Sequence, residues 1–214
     1  MQRSVIILAG RSVKGSNEDS ALLELEGKPI IDYIVAAVKR FAEEVIIVTN
    51  SQKAADNYSR IVLSEVKFAV NQKDSESTLA QALTGFEAAQ GEYSLVLPSG
   101  SPFVSMEIVS LLFELCVSKA AVIPRWTNQE IEALHAVYNT QQALEASKAA
   151  LAEGEVEMEA MVEKLRGVRY LSTLVIEQLD PEFKSFFIVK GLADLKKVLA
   201  TRKPKPQKTR KKKR

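Results

Sequence analysis

In Arg3-Ser4-Val5-Ile6-Ile7-Leu8-Ala9-Gly10 an apolar run from Val5 closes on a glycine. It lacks the polar alternation of a half-exposed strand and is too short for a helix, so it reads as a β-strand buried on both faces. Four more runs share its character: Val45 to Thr49, Val66 to Val70, Tyr93 to Leu97 and Ala120 to Pro124. Helical patterns separate several of them. After Pro29, residues Ile30, Ile31, Ile34, Val35, Val38 and Phe41 form one apolar helical face, with proline in a first turn that tolerates it. Ser77 to Ala89 and Ser105 to Val117 each begin with a serine able to cap a helix. Strand and helix alternating in this way predict an α/β fold, an open and mainly parallel sheet with helices on both faces.

The second half alternates less regularly. Ile131 to Tyr138 is expected as a strand, Thr140 to Leu151 and Val156 to Leu165 as helices, Val168 to Leu171 as a strand and Gly191 to Leu199 as a closing helix. No Gly/Ser-rich linker or internal repeat divides the chain. One domain over residues 1–200 is expected, followed by a disordered basic tail over 201–214.

Composition narrows the class. The 214 residues are 46% hydrophobic and 26% charged, ordinary for a globular protein. Nine of the 29 basic residues fall in Arg202 to Arg214, leaving 20 against 27 acids in the rest, so an acidic body carries a basic tail. Without apolar residues other than proline, that tail lacks the means to offset ordering entropy. It reads as a solubilising segment or as a salt-dependent contact for polyanions, with no interleaved aromatic to stack on bases. Cys116 is the single cysteine, within the apolar run Ile108 to Val117, and is expected as a buried thiol. With no signal-like start and no apolar run of membrane-spanning length, the expected location is cytoplasmic and the protein soluble.

In an open parallel sheet, ligands bind beyond the carboxyl ends of the strands. Gly10, Asn50, Asn71 and Pro98 to Ser101 all follow predicted strands, so one edge should gather them. Gly10 permits a sharp turn and a close backbone approach; Asn50 and Asn71 read either as ligand contacts or as cap and turn residues. His135, the only histidine, reads as structural or as a pocket wall, with no second histidine or cysteine to complete a zinc site. Trp126 reads as a rim aromatic that stacks on a flat ring, or as packing. Glu155, Glu157, Glu159 and Glu163 read as a solvated helix face.

Several ordered segments resemble the molybdenum cofactor guanylyltransferases, MobA-like members of the nucleotidyltransferases. They are Leu8-Ala9-Gly10; Ala21-Leu22-Leu23-Glu24-Leu25-Glu26-Gly27-Lys28-Pro29; Leu83-Thr84-Gly85-Phe86 through Glu92; Leu95-Val96-Leu97-Pro98 with Pro102-Phe103; Leu134-His135-Ala136-Val137-Tyr138; and Ser185-Phe186-Phe187. The likeness runs from Val5 to Leu199. It implies a three-layer, Rossmann-like nucleotidyltransferase fold and transfer of GMP from GTP to molybdopterin with Mg²⁺. The nucleotide-binding set it implies is Leu8, Ala9, Gly10, Ser20, Asn50, Asn71 and Gly100.

The same resemblance marks departures. Arg11 stands at the family's second glycine, Ser20 at its phosphate-binding lysine and Gly100 at its metal-binding aspartate. Asn71 stands at an aspartate after the third strand, Ser77-Thr78-Leu79 at a Gly-Pro-Leu, and Ile188-Val189-Lys190 at an Asn-Val-Asn. Arg11 or Lys14 are left to reach phosphates, and Gly15 or Lys14 falls at a usual arginine depending on register. No catalytic residue and no metal ligand is assigned. Three functions follow: a guanylyltransferase; an inactive nucleotide- or pterin-binding regulatory paralogue whose tail contacts polyanions; or a sugar-phosphate or cytidylyl transferase.

Overall fold

The computed structural model describes residues 2–10, 19–62, 64–72, 77–191, 193–194 and 196–197. Seven strands form the main sheet in the order β5-β4-β1-β6-β8-β7-β9. These are β1 (Arg3–Leu8), β4 (Glu44–Thr49), β5 (Lys67–Val70), β6 (Tyr93–Pro98), β7 (Ala121–Arg125), β8 (Ala136–Asn139) and β9 (Val168–Ser172). Only β8 runs against its neighbours, so the other six strands end at one edge. The α/β class expected from the sequence is the class observed. No helix among the described residues is long and apolar enough to cross a membrane.

Strand β1 explains the layering. Its residues alternate between two cores: Val5, Ile7 and Ala9 on one face, Ile6 and Leu8 on the other. The first core is closed by α1 (Ile30–Val38), α2 (Gln52–Ile61), α4 (Met106–Cys116) and the short α7 (Thr173–Ile176), through Ile31, Tyr58, Phe113 and Ile176 among others. The second is closed by α3 (Thr78–Ala88), α5 (Thr140–Ala152) and α6 (Met158–Lys164), through Phe86, Ala146 and Met161. From Val5 onward both faces of the strand meet a core, which is why the opening run lacks alternation there. Cys116 is buried as expected; burial pushes its thiol up to about 12.

Before α1 the chain makes a small hairpin, β2 (Glu24–Leu25) and β3 (Lys28–Pro29). Glu26 and Gly27 both take positive φ at its turn, the geometry that matches strand twist. Two expectations are revised. Residues 131–138 are not one strand: Ile131 makes an isolated bridge to Arg125, a turn follows in which the His135 amide donates to the Glu132 carbonyl, and only from Ala136 does the ladder resume. Helix α2, absent from the sequence reading, buries only Ala55 and Tyr58 and so shows little apolar periodicity. Of the closing helix expected over 191–199, the described residues 193, 194, 196 and 197 are helical; the tail lies outside the described residues.

Helix α3 is pressed onto β1 and β4 at Gly85. A methyl group there would stand 2.4 Å from Ile6 Cγ2 and 3.2 Å from Val48 Cγ2. That close approach lets Gln81, one turn earlier, reach the strand ends with its carboxamide, which donates to the Ala9 carbonyl at 2.6 Å and to Val48 at 2.9 Å. Gly85→Ala should therefore destabilise the protein by about 1–3 kcal/mol in urea denaturation, as overpacking does. An unchanged midpoint would mean that α3 does not lie this close.

Candidate functional site

The carboxyl edge brings together all seven residues marked in the sequence. Leu8 is flanked by Val48 and Pro98 in the ladder, and its carbonyl accepts from the Ser99 amide. The Ala9 amide donates to Val48, and the Asn71 amide to Thr49. Gly10 turns with φ +80, and a Cβ on it would lie 3.5 Å from the Asn50 backbone nitrogen. It is the left-handed conformation, rather than the spacing, that favours glycine here. Gly10, Asn50 and Asn71 thus cluster beyond β1, β4 and β5.

Ser20 and Gly100 form the other half of the edge. Ser20 lies in a short 3-10 turn, Ser20–Leu22, buried beside Gly100. A Cβ built on Gly100 would stand 3.3 Å from Ser20 Oγ and only 2.8 Å from the Val189 carbonyl oxygen. The Val189 amide donates back to the Gly100 carbonyl at 2.8 Å. The 185–189 segment therefore crosses the end of β6 like a strap, and it fills the space a side chain at position 100 would need first. Arg11, Lys14 and Gly15 lie outside the described residues.

Asp19, next to Ser20, is a described acid at this edge. Its Oδ1 accepts from the Ala21 amide at 3.1 Å and its Oδ2 from the Tyr58 hydroxyl at 2.5 Å. Burial raises its pKa above the ordinary 3.8, an effect these two hydrogen bonds reduce without cancelling. Burial and the adjacent Asp19 charge push the Tyr58 phenol well up, while the Gly10 backbone acts the other way. Helix α2, through Tyr58, thus ties the loop carrying Asp19 to the turn at Gly10.

A Mg²⁺ site of the kind the resemblance implies needs carboxylate oxygens. Gly100 has no side chain and no room for one, the Ser101 hydroxyl is engaged by His135, and Asp19 is held by Tyr58 and Ala21. No group of three or more His, Cys, Asp or Glu suited to a metal occurs among the described residues. The described residues at this edge do not fit the ion.

On the far side of the strap lies a second feature. A cavity of about 440 Å³ opens between the 126–132 loop and the 183–187 segment, walled by Phe103, Trp126, Phe183, Phe186 and Phe187, with Glu132 at its side. Trp126 packs against Phe183 at 4.9 Å, and its indole N–H donates to Glu132 Oε1 at 2.7 Å. His135 stands edge-on to Phe186, with Nε2 at 3.1 Å from Ser101 Oγ and Nδ1 at 3.8 Å from Glu132 Oε2. A chain of polar contacts thus runs from the cavity to Ser101, beside Gly100.

Gln81, Tyr58 and Glu132 were not picked out from the sequence. The one available signal was for Gln81, a carboxamide within the otherwise apolar face Leu79 to Phe86. Tyr58 and Glu132 acquire their roles only through partners distant or looped back in the fold.

A family model described as "MobA-like NTP transferase domain" matches residues 4–168. A Methanosarcina mazei protein named "Probable molybdenum cofactor guanylyltransferase" is 32% identical over 208 residues, 95% of this chain and 92% of that protein. Its namesake in Methanosarcina acetivorans is 29% identical over 205 residues, 93% of this chain and 91% of that protein. Among solved structures, Molybdopterin-guanine dinucleotide biosynthesis protein A from Archaeoglobus fulgidus superposes with a TM-score of 0.77 at 21% identity, covering 92% of this chain and 99% of that one. A 4-diphosphocytidyl-2C-methyl-D-erythritol synthase from Anaerococcus prevotii gives 0.70 at 14% identity, covering 94% and 95%. At these identities the structural likeness concerns the fold.

The Asp19–Tyr58 pair makes a pH-dependent prediction. The unfolded chain releases the Asp19 proton near the ordinary 3.8 whereas the folded chain holds it to higher pH, so this group's contribution to stability falls as pH rises through that interval. Removing the phenol withdraws a hydrogen bond that favours the charged form. Tyr58→Phe should cost about 1.5–3 kcal/mol near neutral pH and less near about pH 4, measured by denaturation across pH. An equal loss at both would mean that Asp19 carries no charge in the folded protein.

Proposed function

The chain belongs to the MobA-like NTP transferase domain family, and from that premise we propose that it serves molybdenum cofactor biosynthesis as a guanine-nucleotide-binding member without metal-assisted GMP transfer. The nucleotide lies at the carboxyl ends of β1, β4 and β5, against Leu8, Ala9 and Gly10. The turn at Gly10 permits close contact with a flat base or ribose, and the carboxamides of Asn50 and Asn71 supply donors and acceptors without charge. Its partner ligands are GTP and, by analogy with what the relatives' names state, a molybdopterin.

One observation carries the non-catalytic reading: the place of a carboxylate at position 100 is occupied by the Val189 carbonyl, 2.8 Å from where Cβ would be. Phosphoryl and nucleotidyl transfer depend almost wholly on positioning and on neutralising charge. Ser20 is neutral, Gly100 bears nothing and Asp19 is engaged elsewhere, so these positions stabilise no developing charge on a triphosphate. Each missing electrostatic group of this kind is worth about 10²–10³ in rate.

Titration with GTP, CTP and ATP, with Mg²⁺ and then with chelator, tests the proposal directly. Binding of GTP that persists in chelator, with no pyrophosphate released on adding a pterin acceptor, is expected; metal-dependent turnover would restore the transferase reading, and binding of no nucleotide would remove both. The crowding at position 100 adds a second expectation. Gly100→Asp should lower stability by about 1–3 kcal/mol and leave turnover absent, because the strap must move before a carboxylate fits. Mg²⁺-dependent activity in this variant at undiminished melting temperature would contradict the account.

A further inference from the structure

Six large apolar side chains stand exposed among the described residues, and five of them, Val117, Tyr170, Leu174, Val175 and Leu179, gather at one margin of the sheet. Strand β9 ends the sheet there, paired among the described strands with β7 alone. The Ala120 amide donates to the Gly167 carbonyl, so Gly167 faces β7. Backbone groups alternate sides along a strand, and Val168, Tyr170 and Ser172 therefore turn their N–H and C=O groups outward. Such an edge is usually guarded by proline, a bulge or an outward charge. Here the neighbouring arginines are engaged on their own chain: Arg169 Nη1 donates to the Leu115 carbonyl at 3.1 Å, and the Arg125 guanidinium lies 4.4 Å from the Tyr170 ring centre.

The two ends of β9 differ in a way that makes them fit each other. At its start, Arg169 reaches the last turn of α4, and Val117 follows that turn. At its end, α7 exposes Leu174 and Val175, with Glu177 and Leu179 just beyond. Helices α4 and α7 close the same core, so both groups lie on one side of the sheet. A second copy of β9 laid antiparallel sets the end of each strand against the start of the other. The apolar residues of α7 then cover the partner's Val117, and Glu177 meets the partner's Arg169. Arg169 keeps N–H donors beyond the one spent on Leu115, and Glu177 makes no ion pair among the described residues. The surface is thus complementary to itself in both shape and charge, as a twofold contact requires.

We propose that the chain pairs with a second copy of itself through β9, antiparallel about a twofold axis at Tyr170, joining two seven-stranded sheets into one. Tyr170 faces its own counterpart as a hydrogen-bonded pair, Cα atoms about 5.5 Å apart, and Val168 faces the partner's Ser172. Six strands of each copy run one way, so antiparallel joining sends the two carboxyl edges to opposite ends of the shared sheet, and neither copy covers the other's Gly10 edge. The chain's own tail is a poor occupant by comparison: nine basic residues in Arg202 to Arg214 would meet a margin that already holds Arg125, Arg166 and Arg169. The pairing is independent of the nucleotide reading.

Sedimentation of the full chain across a concentration series tests the pairing. A dimer is expected at about 100 μM, and Leu174→Lys, a change at an exposed position, should weaken association about tenfold or more. Arg169→Glu and Glu177→Arg should each weaken it, and the two together should restore it, a recovery that a folding defect would not produce. Cys116 is buried, so Tyr170→Cys adds the one accessible thiol; a short bismaleimide should link it into dimers and leave Val156→Cys, exposed beside α3, unlinked. A monomer throughout, a dimer indifferent to Leu174→Lys, or no recovery in the double charge variant would overturn the proposal. A dimer lost on removing residues 201–214 but untouched by Leu174→Lys would assign the contact to the tail and overturn it equally.

Discussion

The Val189 amide donates to the Gly100 carbonyl while the Val189 carbonyl approaches the same residue from the side where a Cβ would project. This backbone-to-backbone contact closes the end of β6, and residues on both sides follow from it. Toward β1 it leaves Ser20 beside Gly100 with no charge between them. Toward β7 it draws Phe186 onto His135 and sets Phe183 against Trp126 and Phe187 against Phe103, so that a cavity forms where the strap meets the 126–132 loop. A glycine at position 100 is the condition for the strap to lie so close, and once it does a carboxylate is sterically excluded.

The two notable carboxylates differ in how their environments settle their charge. At Asp19 burial prevails over hydrogen bonds from Tyr58 and Ala21, and the proton is held to higher pH. At Glu132 burial is overcome by Trp126 and His135, and the charge is kept. The consequence is that Asp19 acts as a tie between α2, the 3-10 turn and Gly10, whereas Glu132 presents an ionised face to a cavity. The first binds the structure to itself; the second is held by Trp126 at the cavity wall.

Much of the sheet was legible because it is buried on both faces. Runs such as Val5 to Leu8 and Leu95 to Leu97 carry no polar residue between two cores, and their order alone announced α/β layering. Helix α2 escaped notice because only Ala55 and Tyr58 face inward. The apolar composition of residues 131–138 suggested one strand, but Glu132 and His135 instead make a turn whose side chains face the cavity and Ser101. At the candidate site, the strand-end positions of Gly10, Asn50, Asn71 and Gly100 followed from sequence order and resemblance. What sequence order does not carry is the clash at Gly100, because it comes from a segment some ninety residues later, nor the hold of Gln81 on Ala9 and Val48, which depends on how closely Gly85 seats α3.

The central claim is that the fold keeps a nucleotide edge while the strap keeps the metal position closed. A crystal structure of the protein grown with GTP and Mn²⁺ examines both halves at once, since Mn²⁺ is located by its anomalous signal. The account predicts a guanosine against Leu8 to Gly10, the Val189 amide still bonded to Gly100, and any Mn²⁺ held by phosphate and water alone. A strap displaced from Gly100 with Mn²⁺ ligated by a protein carboxylate would contradict it.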